Sequence, residues 1–395
     1  MRRGERCVLA AALAIGVAVA IVACTSGSGP GSPPPVADAA TLADAAGEAA
    51  SPPSPVDAGV DADASTIKCT SVDAGPAGAV CVADGGICWE VPTPTGYDVT
   101  ALWASGPSDF WAAAGDRLLH GDGVTWRESY ATSGVRISTM WGSGPDDVWA
   151  GGSTTGTAPL LHWDGCAWTP TTIPIPTPIV TSIWGSGADD VWFGGDALVH
   201  WDGATWTPAA GVVGANSSAL AIFGLGPKDV WAIIGTSGSS RMEHWDGTSW
   251  TMVGGLDAIP SDFGSAFWGT SDTDLWLGTG DYPLLDHWDG ARWTIVTLSN
   301  PIPELFDAWG ASSSTTHAFW GTGPNDINVL MEGFTLHYDG ANWKLVTKQG
   351  GIATAEAGGV RWSGTRAGVL RTWNGSGWNT TTLETFSNDM QAAAA

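Results

Sequence analysis

Short apolar runs alternate with small and polar residues along most of the chain, and they come in a fixed order. "MWGSGPDDVWAGG" at Met140 sets two apolar runs around a turn of Gly, Ser, Pro and paired Asp. The same phrase returns as "LWASGPSDFWAAAG" at Leu102, "IWGSGADDVWFGG" at Ile183 and "IFGLGPKDVWAIIG" at Ile222, then as "FWGTSDTDLWLGTG" at Phe267 and "FWGTGPNDINVLMEG" at Phe319. A second phrase follows each: "LLHGDGVTW" at Leu118, "LLHWDGCAW" at Leu160, "LVHWDGATW" at Leu198, "MEHWDGTSW" at Met242, "LDHWDGARW" at Leu285 and "TLHYDGANW" at Thr335. Apolar runs of this length, bounded by Gly, Pro and Asp, predict strands. Pro and Asp suit the tight turn inside the first phrase. Asp-Gly in the second predicts a two-residue hairpin of type I′. That hairpin sets Trp163 opposite Cys166 and Leu161 opposite Trp168. Leu161, Trp163 and Trp168 then share one face and His162 takes the other.

Two phrases make four strands, and one Asp-Gly follows another after roughly 35 to 50 residues, the spacing of propeller blades. About 15 residues separate Trp168 from Ile183, enough to carry the chain from an outer strand to the inner strand of the next blade. The fold class predicted is all-β, a single β-propeller of four-stranded antiparallel blades over residues 98–385. Seven blades are expected, with six and eight as the alternatives. The last copy, "GGVRWSGTRAGVLRTWNGSGW" from Gly358 to Trp378, is worn, and Trp362 fits either of its first two strands. "ICWEVPTPTGYDVTALW" from Ile87 imitates a fourth strand. Residues 67–97, a short Cys-containing segment, therefore offer a strand to close the ring.

Composition sharpens this. The chain of 395 residues holds 25 Trp and 55 Gly, with a formal net charge of −25. Tryptophans fill the wedges between sheets and glycines make the turns. Such acidity excludes nucleic acid, which needs clustered cations. Residues 1–23 combine Arg2, Arg3 and Arg6 with an apolar stretch from Val8 to Val22, the pattern of an export signal. Residues 24–66 are rich in Pro, Ala, Ser and Asp, too polar to bury a core, and read as a disordered tether; residues 386–395 read as a disordered tail. Outside the cytoplasm Cys69, Cys81, Cys88 and Cys166 can form two disulfides in three connectivities, and a bridge from the small segment to Cys166 is the preferred one.

The ending Ile21-Val22-Ala23-Cys24 resembles the bacterial lipobox, which implies lipidation of Cys24, and Thr25 after it implies passage to the outer membrane. The Trp and Asp-Gly phrases resemble those of bacterial surface lipoproteins with propeller folds and, more distantly, the Asp-box (BNR) repeats of sialidase-type propellers. The Asp box has the form S-x-D-x-G-x-T-W, whereas Asp246 to Trp250 is one step shorter. Its chemistry is therefore not carried over.

Candidate chemistry is sparse. His120, His162, His200, His244, His287 and His337 each belong to a different blade, so they read as hydrogen-bonded supports rather than one metal cluster. Asp146, Asp147, Asp189 and Asp190 offer hard oxygens to calcium, although a capped turn explains them with less. Phe110, Tyr282, Trp309 and Phe334 stand out as blade-specific aromatics that could stack on a sugar ring. No residue is singled out as catalytic, and no cofactor is called for. The expected function is a lipid-anchored, extracytoplasmic, non-enzymatic module that binds a protein or glycan ligand at the cell envelope. A glycan hydrolase of sialidase-like type and a structural envelope scaffold are the rival readings.

Overall fold

The computed structural model describes residues 80–81, 88–89 and 98–380, with interruptions at 123–125, 133, 155–159, 174–178, 215, 237–238, 256–258, 260–263, 280–283, 299–301 and 303–314. The export signal, Cys24, the tether, Cys69 and the tail lie outside the described residues. Seven four-stranded antiparallel sheets follow one another in chain order. They are blade 1 (99–131), blade 2 (135–171), blade 3 (180–208), blade 4 (217–253), blade 5 (264–297), blade 6 (316–347) and blade 7 (353–380). Blade 2 shows the plan, with strands Val135–Gly144, Asp147–Thr154, Leu160–Trp163 and Trp168–Thr171.

First strands lie innermost and touch those of both neighbouring blades all the way round. They are tied across: the Thr100 hydroxyl donates to the Ile137 carbonyl at 2.6 Å, and the Ile222 N–H donates to the Ser182 hydroxyl at 3.0 Å. Each interface holds its own apolar core. The recurring device is the second-strand tryptophan, which leaves its own sheet to pack on the next. Trp149 is 2% exposed and meets Trp206 of blade 3 edge-on, with centroids 5.9 Å apart and planes at 87°. Trp111 meets Trp168, and Trp192 meets Trp250, in the same way. Edge-to-face contact suits the ring quadrupole and adds to the area buried.

Three expectations need correction. The Asp-Gly hairpin is a four-residue loop, not a two-residue one, because Trp163 pairs with Trp168 and Leu161 with Pro170. The Asp164 carboxylate accepts from the N–H groups of Cys166 and Ala167, each at 2.9 Å, which satisfies the loop locally. Only Gly165 adopts positive φ (86°), so the second left-handed residue of a type I′ turn is not needed. The predicted sharing of one face by Leu161, Trp163 and Trp168 survives, since directly paired residues point the same way. Secondly, blade 7 has all four of its strands from the C-terminal end, starting at Ala353–Ala357. Trp362 sits on its second strand. Thirdly, the strand pair Val80–Cys81 and Cys88–Trp89 forms its own two-stranded sheet and adds nothing to blade 7.

Closure is made by contact instead. The Val99 N–H donates to the Thr365 carbonyl at 3.1 Å. Arg366 of blade 7 pairs with Glu332 of blade 6 at 2.5 Å and reaches Asp98 beside blade 1 at 3.4 Å. Under this clamp His317 occupies the extra residue of a bulge in the first strand of blade 6, and its Nε2 is buried with no hydrogen-bond partner. Burial lowers its pKa to about 4, with Arg366 adding to the effect and Glu332 opposing it. Between pH 6.5 and 4 the unfolded chain therefore binds a proton that the folded chain refuses, and stability falls as the pH is lowered.

Two outcomes follow from these contacts. Trp149→Ala should cost about 3–5 kcal/mol in urea unfolding. His317→Gln should flatten the loss of stability between pH 6.5 and 4 by up to roughly 3 kcal/mol; an unchanged slope in urea midpoints across that range would contradict the assignment.

Candidate functional site

The recurring histidines and aspartates form one repeated arrangement. A second bulge in each first strand lifts Ser105, Ser143, Ser186, Thr270 and Thr322 out of register in blades 1, 2, 3, 5 and 6. Each hydroxyl donates to the aspartate four residues later: Ser143 to Asp147 Oδ2 at 2.6 Å, Thr322 to Asp326 Oδ2 at 2.6 Å. The other oxygen meets the third-strand histidine, as His162 Nε2 to Asp147 Oδ1 at 2.7 Å and His337 to Asp326 at 2.8 Å. His162 then lies flat on Trp149, 3.9 Å between centroids and 19° between planes. The group thus ties the first three strands of a blade together and presses the tryptophan toward the next.

Blade 4 breaks the pattern at Leu225, which replaces the hydroxyl and is 39% exposed. There the Trp231 indole N–H donates to Asp229 Oδ1 at 2.7 Å. Blade 6 breaks it at Asn328, which replaces the tryptophan. Burial pushes the Asp147 carboxyl up, but the bonds from His162 and Ser143 outweigh it and its pKa ends below the ordinary value. Asp109 and Asp274 behave alike.

These contacts place the candidates. The six histidines are supports within separate blades. Both oxygens of Asp147 and of Asp190 are already taken, which leaves Asp146 and Asp189, one exposed carboxylate per turn. Among the described residues no group of three or more His, Cys, Asp or Glu could hold a metal ion. Phe110 is 1% exposed and packs between Trp126 and Trp362, so no sugar reaches its face. Phe334 is equally a core residue, buried in the cluster between blades 5 and 6. Tyr282 and Trp309 lie outside the described residues. Cys81 and Cys88 hold facing positions in their two-stranded sheet. Cys166 sits in the blade 2 loop and is disulfide-bonded.

Sequence reasoning missed a cavity of about 410 Å³ between blades 3 and 4. Its walls are the connection Pro208–Val212 on one side and Glu243, Trp245, Ser249 and Trp250 on the other. Glu243 is only 7% exposed. Its Oε1 accepts from Arg241 Nε at 2.8 Å, and Arg241 Nη2 donates to the Val212 carbonyl at 2.5 Å. The signal was present in "MEHWDG": the residue before histidine is Leu119, Leu161, Val199 or Leu336 in blades 1, 2, 3 and 6, and charged in blades 4, 5 and 7.

No family model matches the chain, and no curated protein is similar to it. Solved structures resemble it in fold. One is YCF48 bound to a D1 peptide, at TM-score 0.54 and 16% identity over 75% of this chain and 98% of that one. Another is a streptogramin B lyase, at TM-score 0.56 and 11% identity over 73% and 96%. A third is the extracellular domain of a hybrid two-component system from B. thetaiotaomicron, at TM-score 0.52 and 14% identity, covering 70% of this chain and 38% of that one. At these identities the likeness establishes the propeller fold.

Asp147→Ala would leave the His162 and Ser143 donors without their carboxylate. A loss of about 1–3 kcal/mol in chemical unfolding is expected, with Ser143→Ala costing less because only one bond goes.

Proposed function

We propose that this chain is an extracytoplasmic binding module, anchored to the envelope through a lipid on Cys24 and directed to the outer membrane, whose propeller engages a protein or glycan ligand without transforming it. One observation carries this reading. The polar side chains that recur in the repeat are engaged inside single blades, and the repeat is relaxed where an open, tryptophan-walled cavity sits between blades 3 and 4. A rigid ring with a relaxed groove is suited to recognition. Fold likeness to a propeller bound to a peptide and to the extracellular domain of a hybrid two-component system supports the same reading. A net charge of −25 argues against nucleic acid as the ligand.

The test has two arms. Cells expressing the full chain are fractionated beside a Cys24→Ala variant: the parent is expected in the membrane pellet and the variant in the soluble exported fraction. Purified full chain is then titrated onto isolated envelopes. Saturable retention is the expected result, and retention no greater than that of an acidic control protein would defeat the binding reading.

A further inference from the structure

The hairpin of blade 4, like that of blade 3, leaves its two tryptophans partly open, whereas those of blades 2 and 5 do not. In blades 2 and 5 the pairs Trp163 and Trp168, and Trp288 and Trp293, are all buried, at 3–7% exposure. There the third-strand indole N–H is tied to the first turn, Trp163 to the Pro145 carbonyl at 3.0 Å and Trp288 to the Asp272 carbonyl at 3.1 Å. In blade 4 Trp245 and Trp250 are both partly open to solvent and line the cavity, with centroids 5.9 Å apart and planes at 42°. Trp245 makes no such bond to its turn. Its neighbour Met252, opposite Glu243 in register, is 48% exposed.

The charged residue asks for an explanation that anchoring does not supply. Arg371 of blade 7 occupies the position before the missing histidine and holds the connection behind it with one bond, Nη1 to the Gly350 carbonyl at 2.7 Å. An arginine alone can therefore pin a connecting loop. In blade 4 Arg241 does that work through Val212, and Glu243 is additional. A buried carboxylate is costly where a leucine would serve, unless its pairing does something a leucine cannot.

We infer that the cavity between blades 3 and 4 is a subsite for one or two rings of a neutral saccharide, an inference that rests on the binding reading above. Three features fit that ligand. The indoles of Trp245 and Trp250 line the cavity and are partly open, giving it an apolar wall suited to the C–H face of a pyranose. Arg241 cancels the charge of Glu243, so the wall presents a carboxylate oxygen as an acceptor without a net charge, which matches a hydroxyl group and not an ion. Glu243 Oε2 takes no bond from the described residues and Glu243 lines the cavity. A volume of about 410 Å³ lies within the usual span of roughly 300–1,000 Å³ for small-molecule sites. Ser249 and Gly211 at the rim are exposed, so a longer chain can leave the groove in either direction.

The experiment is saturation-transfer NMR of the full chain with cellotriose, maltotriose and chitotriose, followed by titration of whichever transfers. Glu243→Leu restores the residue of blades 1, 2 and 6 and serves as the variant least apt to unfold; its melting temperature should equal or exceed that of the parent. Transfer to at least one trisaccharide is expected, with affinity lowered tenfold or more in Glu243→Leu and in Trp245→Ala. Failure of all three sugars, or affinity unchanged in both variants, overturns the subsite. Envelope retention that persists in Glu243→Leu while no sugar binds would defeat the groove alone and leave the binding module standing. Loss of retention by the parent chain would defeat the module itself.

Discussion

Every blade but the sixth passes a second-strand indole ring to the next, and the ring of seven depends on that exchange. The second-strand tryptophan lies flat on a histidine of its own sheet and is met edge-on by an aromatic of the following one, as Trp149 is by His162 and Trp206. An isolated four-stranded sheet would leave both faces of such residues in water. Stacking the sheets removes them from water pairwise, and only a closed ring removes them all. The Ser/Thr–Asp–His group is the counterpart of this exchange. It fixes the orientation of the imidazole, and so of the indole resting on it, by hydrogen bonds that cross three strands.

Glycine makes the approach possible near the axis. A Cβ at Gly142 would lie 2.6 Å from the Trp103 ring of the preceding blade, and one at Gly185 would lie 2.7 Å from Trp141. The "WGSG" phrase is therefore a single packing unit divided between two blades: the tryptophan of one copy needs the glycine of the next. The interface between blades 6 and 7 lacks part of this. Its buried core is Trp320, Leu330 and Trp378, and Asn328 stands where the tryptophan should be. Arg361 compensates by lying over Trp320, 4.7 Å from its centroid, and the Arg366 clamp spans the same seam. Polar contacts are concentrated where apolar ones are thinnest.

How much of this the sequence discloses depends on whether a side chain acts inside its own repeat. The strands and their faces were legible because Trp, Gly and Asp recur at fixed offsets. The histidines were legible as supports because one per blade cannot converge. The hairpin loop was misjudged because Asp164 caps two N–H groups with its side chain, an option a backbone turn type does not register. The first strand of blade 7 was hidden because "ATAEA" has neither the tryptophan nor the Gly-Pro that marks its fellows. Phe110 was mistaken for a special aromatic although it occupies the column of Val148 and Val191, which is a core position in each blade. The groove was overlooked for the converse reason. Attention to the conspicuous His-Trp-Asp-Gly column passed over Glu243 beside it.

The stacked architecture explains how a polar groove can stand at this place. A buried ion pair weakens a core relative to well-packed leucine, and in a single-core domain the penalty would spread through everything packed around it. In a stack whose units touch only their neighbours, stability is close to a sum of local terms. Glu243, paired with Arg241, stands at one such interface and leaves the histidine of blade 4 bonded to Asp229 at 2.9 Å. The other interfaces hold this one in register while it carries the polar chemistry. The regularity of the repeat is thus what permits a local irregularity to be open, acidic and aromatic without unravelling the ring.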